Sequence, residues 1–281
     1  MTRFDTSRLR RAAWLGVALA LLALGAAARA DSRLDARYRM SVAGIAIGNS
    51  EINVVIGDAA YTASASGRAS GLLRMLVTGE GTVSARGAIV DGRLVPTHFT
   101  SRTAGDDETA KVAMAFDGGD VTQLTAETSD LGAGRVPVTA EHRKGVIDPL
   151  SALLIPIAGS DDVIAATACQ RTLPVFDGRR RYDLALTFKR IVNVKANAGY
   201  AGPAVMCGIA FRAIAGHRPD SALVKYLAGG RDIELTLAPI AGTRLLAPFR
   251  LTIANMLGNI VIEASAFAAT TAPAAVGASS E

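Results

Sequence analysis

Histidine, cysteine and aromatic residues are scarce in this chain of 281 residues: three histidines, two cysteines, one tryptophan, and aromatics at 5%. His98, His142 and His217 stand apart from one another and from the cysteines, so no spacing offers the four ligands of a zinc site. There is no Cys-x-x-Cys redox pair. No Gly-x-Ser-x-Gly elbow occurs; Gly67-Arg68-Ala69-Ser70-Gly71 has the wrong spacing and reads as a flexible turn. The chain also lacks a phosphate loop and a dinucleotide fingerprint. Each histidine has an ordinary place available, His98 in the strand-like Pro96-Thr97-His98-Phe99 and the other two in polar turns. No catalytic residue, metal site or cofactor is expected. Few aromatics also leave little for stacking nucleobases.

The charge points the same way. Thirty basic and 25 acidic side chains give a net of +5. Five of the arginines (Arg3, Arg8, Arg10, Arg11, Arg29) and only one acid, Asp5, fall in residues 1–30, and without that segment the balance is 25 against 24, a net of +1. Nucleic-acid binding is therefore not expected. The segment itself has the layout of a secretory signal peptide. A positive start precedes the apolar run Ala12 to Leu24, and Ala28-Arg29-Ala30 supplies a small-x-small cleavage pattern before Asp31. The run is shorter than the roughly 20 residues that span a bilayer, and no later stretch is long and apolar enough to do so. The expectation is a signal peptide over 1–30, cleaved after about Ala30, and a periplasmic protein with no transmembrane span. An Arg10-Arg11 pair alone is weak support for a twin-arginine signal.

The two cysteines, Cys169 and Cys207, are an even count in a chain expected to be exported, which favours a disulfide. Two buried free thiols are the alternative.

From Asp31 onward the pattern alternates with period 2, which builds strands with one buried and one wet face. Tyr38, Met40 and Val42 alternate with polar neighbours. So do Ile52, Val54 and Ile56; Val112, Met114 and Phe116; Tyr182, Leu184, Leu186 and Phe188; Val205, Cys207, Ile209 and Phe211; and Ile233, Leu235 and Leu237. Gly57-Asp58, Asp91-Gly92, Asp117-Gly118-Gly119-Asp120 and Asp177-Gly178 punctuate the runs with residues that accept the positive φ of tight hairpins. Hairpin-linked strands pair antiparallel. Two short helices interrupt them. One opens at Asp148-Pro149 and stops at Pro156; the other spans Ser221 to Leu227. The segment Gly67–Gly81, with Leu72, Leu73, Leu76 and Val77, reads equally as helical turn or strand edge. The expected fold is mainly β: a single curved antiparallel sheet, half-barrel or β-spiral, with one or two short helices. It occupies 31–269 as one domain, with a disordered tail over 270–281.

Few groups remain for chemistry. Asp106-Asp107-Glu108 and Asp161-Asp162 read as solvated loops, although paired carboxylates are not visible as such in a sequence. Arg179-Arg180-Arg181 is the densest basic run. It reads as a solvated strand start after the Asp177-Gly178 turn, or as a grip for an anionic headgroup by bidentate bonds. Asp183 falls on the same strand face as Arg181, within reach of it. Apolar inward sets, with Gly and Ala at many outward positions, admit an apolar trough on a curved sheet or a fully packed core. A trough would be lined by Leu184, Leu186, Phe188, Ile209 and Phe211.

Four segments carry a resemblance. They are Tyr38-Arg39-Met40-Ser41-Val42-Ala43-Gly44-Ile45 with Ile47-Gly48; Val146-Ile147-Asp148-Pro149-Leu150-Ser151-Ala152-Leu153; Cys169 with Pro174-Val175-Phe176-Asp177-Gly178-Arg179-Arg180-Arg181-Tyr182-Asp183-Leu184; and Gly199-Tyr200-Ala201-Gly202-Pro203-Ala204 leading to Cys207 and Ala215-Gly216-His217. Together, over roughly Leu34 to Phe267, the chain resembles a family of exported bacterial proteins of unknown function, frequent in alphaproteobacteria. That family is similar in architecture to periplasmic lipoprotein carriers and β-spiral envelope proteins, which implies a curved antiparallel sheet and, by analogy of fold alone, an acyl-binding surface. It implies no catalytic residues. Its paired cysteines match Cys169 and Cys207, which supports the disulfide.

Three functional readings follow. The first is a non-enzymatic periplasmic protein of envelope homeostasis that binds a lipid, lipoprotein or envelope partner. The second is a structural or protein–protein interaction module without a ligand. The third is an envelope hydrolase with a carboxylate site.

Overall fold

The computed structural model describes residues 31–69, 79–105, 109–127, 134–159, 162–230, 232–254 and 258–271. Residues 1–30, the Leu72–Val77 stretch, Asp106-Asp107-Glu108 and Asp161 lie outside them, and with them the expected signal peptide and most of the expected tail.

The alternating runs become strands. Seven form a meander: β1 (Ser32–Val42), β2 (Ile45–Ile56), β3 (Ala60–Ala69), β4 (Gly79–Val90), β5 (Arg93–Gly105), β6 (Thr109–Asp117) and β7 (Asp120–Glu127). After a stretch with little strand come β8 (Ile155–Pro156), β9 (Arg171–Phe176), β10 (Arg181–Lys195), β11 (Ala198–Gly199) and β12 (Ala201–Ala215). The one α-helix among the described residues, α1 (Ala222–Ala228), precedes β13 (Ile233–Pro239), β14 (Leu245–Ile253) and β15 (Ile260–Thr271). One sheet contains them all, in the order β7-β6-β5-β4-β3-β2-β1-β15-β14-β13-β12-β10-β9, with β8 and β11 added at the side of β14 and β15. The two ends of this path, β7 and β9, do not pair, so the sheet is curled and open. Every ladder along the path is antiparallel.

The four turn signals fall between β2 and β3, β4 and β5, β6 and β7, and β9 and β10. At the second, Asp91 and Gly92 both have positive φ, at 50° and 71°, the conformation whose twist matches a two-residue hairpin. Strand β15 continues through Thr270 and Thr271, which pair with Arg33 and Ser32, two residues past the expected domain boundary at 269.

The helix at Ser221 forms as expected, with the Ser221 hydroxyl accepting from Val224 N. The one at Asp148-Pro149 does not. Asp148 Oδ1 does accept the N–H groups of Leu150 and Ser151, at 3.0 and 2.9 Å, but only a 3₁₀ turn over Ser151–Leu153 follows. The chain then extends at Leu154, and Ile155-Pro156 pairs with β14. Six residues between Pro149 and Pro156 are too few to propagate a helix beyond its costly first turn. Leu150, Ala152, Leu154 and Ile155 are all buried, so the segment runs through the interior and has no wet face to set a helical stripe. Tyr61 of β3 ties the turn to the sheet through a 2.6 Å hydrogen bond with Ser151 Oγ.

Two hydrophobic cores result. The larger lies inside the curve of β1–β7 and includes Leu34, Val54, Tyr61, Phe99 and Met114, with Leu150, Leu154 and Phe176 packed against them from the other side. The smaller includes Ile155, Leu186, Val205, Leu237 and the Cys169–Cys207 disulfide. Both cysteines are fully buried.

Two measurements test this account. The bridge closes a 38-residue separation, so removing it by Cys169→Ser or Cys207→Ser is expected to lower stability by roughly 3–4 kcal/mol in the chain-entropy view. For a domain of this size that is a fall in Tm on the order of 10 °C, and dithiothreitol lowers the wild-type Tm likewise. Asp148 is fully buried. Burial raises its carboxyl above the usual value, against the opposing hydrogen bonds from Ser151 and Leu150. The folded state then holds the proton more tightly than the unfolded chain, so this group favours the fold at low pH. The advantage is lost as pH rises from the usual aspartate value through the raised folded one. Asp148→Asn keeps the capping acceptor and removes the titration. Thermal melts across acidic and neutral pH are expected to show the variant gaining on wild type as pH rises.

Candidate functional site

Along β1–β6 the inward positions form cross-strand rows, and the rows change in size from one end of the sheet to the other. The row Val54–Ala63–Ala85–Phe99–Met114 is buried and well filled. Next comes Ile52–Ala65–Val83–Ser101–Val112. Beyond it lies Ser50–Gly67–Gly81–Thr103–Ala110, and at the end of the strands Ala69, Gly79 and Gly105. Large side chains run out, and a cavity of about 830 Å³ opens among them. This volume lies in the roughly 300–1,000 Å³ range of small-molecule sites.

The backbone does not require these glycines. A Cβ at Gly67 or Gly81 would meet only ordinary contacts at 3.5 Å and beyond, a Cβ at Gly79 would meet nothing within 4 Å, and none of the three has positive φ. Glycine weakens a strand, so what it leaves at these positions is space. Gly178 in the β9–β10 turn is of the other kind: φ is 90° and a Cβ would collide with Val112. The turn seats tightly against the inner face of β6.

That turn brings charge to the hollow. Asp177 Oδ1 accepts the backbone N–H groups of Arg179 and Arg180, at 2.8 and 2.6 Å, and both arginines line the cavity together with Arg135. Arg179 Nη2 donates to the Glu127 carbonyl at 3.0 Å, and its Nε is buried without a partner among the described residues. Arg135 Nη1 donates to the Gly216 carbonyl at 2.9 Å. Arg180 is 53% exposed, and its guanidinium is 3.9 Å from Asp177 Oδ2, too far for a hydrogen bond. Arg68 and Glu80 at the rim face each other in the β3–β4 ladder. Arg135 and Arg180 also line a second cavity of about 370 Å³ next to α1, where Tyr182 and Phe211 pack with ring centroids 5.5 Å apart.

The structure divides the basic run. Arg181 turns the other way, donating to Asp183 Oδ1, while Arg212 donates to Asp183 Oδ2. Burial pushes the Asp183 carboxyl up, but the hydrogen bonds and charges of Arg212 and Arg181 outweigh it and hold the carboxyl below its usual value. Of the three candidate anion contacts, Arg179 and Arg180 therefore reach a cavity and Arg181 is satisfied within the fold.

The five expected trough residues fall in different surroundings. Leu186 is part of the disulfide core, and Leu184 and Ile209 pack against it. Phe211 lies in the smaller cavity. Phe188 is 39% exposed, because β9 ends opposite Leu186 and leaves the rest of β10 without a neighbour on that side. The hollow is instead on the inner face of β2–β6, and the small residues that make it are inward, where outward ones were expected. The period-2 runs Ala65-x-Gly67-x-Ala69 and Gly79-x-Gly81-x-Val83 were the available signal. Arg135 lies outside any patterned segment and had none.

Other polar groups have local roles. His98 Nδ1 lies 3.2 Å from Thr97 Oγ1, His142 Nδ1 accepts from Thr139 N, and Asp162 Oδ1 accepts from Ile164 N. Among the described residues no three His, Cys, Asp or Glu side chains are grouped to hold a metal ion, and no helix is long and apolar enough to cross a membrane.

Fold and site define an open, curled antiparallel β protein with a ligand-sized hollow under a basic turn. The chain belongs to the DUF3108 family of proteins of unknown function, which matches residues 37–265. A crystal structure of a beta-barrel-like protein of the domain of unknown function DUF1849, from Brucella abortus, is similar at 11% identity, covering 87% of this chain and all of that one with a TM-score of 0.49. No curated protein matches the chain.

If the glycines serve only the hollow, Gly67→Val and Gly81→Val are expected to leave Tm unchanged or raise it, since valine suits strands. Gly178→Ala is expected to lower stability by about 1–3 kcal/mol. Differential scanning calorimetry of the three variants separates the two kinds of glycine.

Proposed function

We propose that this is an exported, non-enzymatic protein of the bacterial envelope that holds an apolar or amphipathic envelope molecule in the hollow of its sheet. The single observation that carries the reading is the row Ser50–Gly67–Gly81–Thr103–Ala110 with its cavity of about 830 Å³. Protein interiors are normally packed to the density of organic crystals. Here small residues hold a space open that larger side chains have room to fill. Export is supported by the signal-peptide layout of residues 1–30 and by the buried disulfide, a bond that persists in oxidising compartments.

Native mass spectrometry of the protein from its own periplasm, with lipid extraction of the same sample, tests this. A reproducible co-purifying lipid or lipopeptide is expected. A clean apo mass, unchanged when the extract is added back, overturns it. Weight then passes to an interaction module, for which the edge strand β7 offers backbone without a neighbouring strand; β9, at the other end of the path, is partly covered by Ile147, which bridges Val175.

A further inference from the structure

We infer that the ligand of the hollow is an anionic amphiphile: its carboxylate or phosphate group sits at Arg179 and Arg180, and its apolar chain lies along the small residues of β3 and β4. The inference rests on the reading of the hollow as a binding site and adds the chemical class of the occupant.

Charge complementarity is the first support. The cavity wall carries the guanidiniums of Arg135, Arg179 and Arg180. The only acid at the turn, Asp177, gives its Oδ1 to the backbone of the turn, and its Oδ2 stays 3.9 Å from Arg180. Arg179 donates to a neutral carbonyl and keeps a buried Nε without a partner among the described residues. A guanidinium with unused donors, partly withdrawn from water, favours a bidentate anion. Arg180, half exposed at the opening, leaves a headgroup in contact with solvent.

Position is the second. The arginines lie on a turn fixed by the Asp177 side chain and by the close seating of Gly178 on Val112. The fixed backbone of the turn therefore places both arginines at the cavity. From that point the inward face of β3 and β4 offers Ala65, Gly67, Gly81 and Val83, which provide apolar contact, with the hydroxyls of Ser50 and Thr103 on either side in the Gly67–Gly81 row. A charged head at the guanidiniums and a largely apolar tail along the small residues match this division.

The test is isothermal titration of the protein, as the cell makes it, with laurate, dodecyl phosphate and dodecanol, which share one chain length, and with acetate and inorganic phosphate, which have no chain. Laurate or dodecyl phosphate is expected to bind at least about tenfold tighter than dodecanol, the least that charge-assisted hydrogen bonds supply. Their ratio tells carboxylate from phosphate. Arg180→Gln, at a half-exposed site that leaves the fold intact, is expected to reduce that preference. Arg179→Gln/Arg180→Gln is expected to abolish it with dodecanol binding unchanged. Gly67→Leu/Gly81→Leu is expected to weaken all three chain ligands. Equal binding of dodecanol and laurate, or a preference that survives in the double arginine variant, overturns the anionic headgroup while leaving the hollow as an apolar site. Acetate or phosphate binding as tightly as laurate overturns the amphiphile in favour of a free anion. No binding of any chain ligand overturns the ligand-binding reading itself, and this inference with it.

Discussion

One ladder makes this chain a single structure: the pairing of its first described strand with its last. β1 and β15 meet over eleven residue pairs, from Ser32 opposite Thr271 to Val42 opposite Ile260. The Tyr38 hydroxyl reinforces the junction by donating to the Pro248 carbonyl of β14 at 2.6 Å, and Ser265 Oγ donates to the Arg37 carbonyl. Without it there would be a seven-stranded meander and a second sheet around the disulfide, each with one more raw edge. With it, β1 lies in the interior of a path of thirteen strands. Closing contacts between residues so far apart in sequence is slow and entropically expensive. The curl of β1–β7, which shapes the hollow, is anchored at its β1 edge by the C-terminal strand.

The inner face of that curl is graded. At one end Tyr61, Phe99 and Met114 fill it against Leu150, Leu154 and Phe176. At the other, Gly67, Gly79 and Gly81 leave it empty. The grading separates two tasks in one surface. The filled end provides apolar burial at about 25 cal/mol per Å². The empty end forgoes that burial and also accepts the weaker strands that glycine makes. Because those glycines adopt ordinary strand conformations, turn geometry does not explain them. The disulfide core shares no residue with the lining of the hollow.

Much of this was legible in the sequence, and the failures have physical causes. Period-2 alternation located the strands, and the Asp-Gly and Gly-Gly signals located hairpins, because both are local properties of the backbone. The mainly β, single-sheet fold followed. Alternation says which residues share a face, but not which layer that face packs on. Leu184, Leu186 and Ile209 were therefore read as lining a trough when they belong to the core around Cys169–Cys207. Phe188 obeys the same alternation but lies past the end of β9, a boundary set by tertiary pairing. The turn at Asp148 has a true capping residue but no room for a helix before Pro156. The hollow itself left a trace, since small residues repeat at every second position of β3 and β4. Only the three-dimensional row makes that trace a cavity.

The arginines show how one residue type is put to two uses within three positions. Arg181, at the start of β10, turns its side chain to Asp183, which Arg212 also engages; that carboxylate is 8% exposed and its two oxygens are fully used. A buried charge is tolerable when it is paired in this way, and breaking such a pair is strongly destabilising. Arg179 and Arg180, still in the turn, are not paired like this. Asp177, the acid of the turn, fixes it by accepting backbone N–H groups at Oδ1 and leaves Oδ2 3.9 Å from Arg180, so both guanidiniums line the cavity with donors to spare. Had the turn needed only stability, the Asp177 carboxylate could have accepted a guanidinium as Asp183 does. Backbone capping by the acid and spare guanidinium donors at the hollow are thus one arrangement: Asp177 rigidifies the turn through Oδ1 and offsets Arg180 only at 3.9 Å, without a hydrogen bond to it.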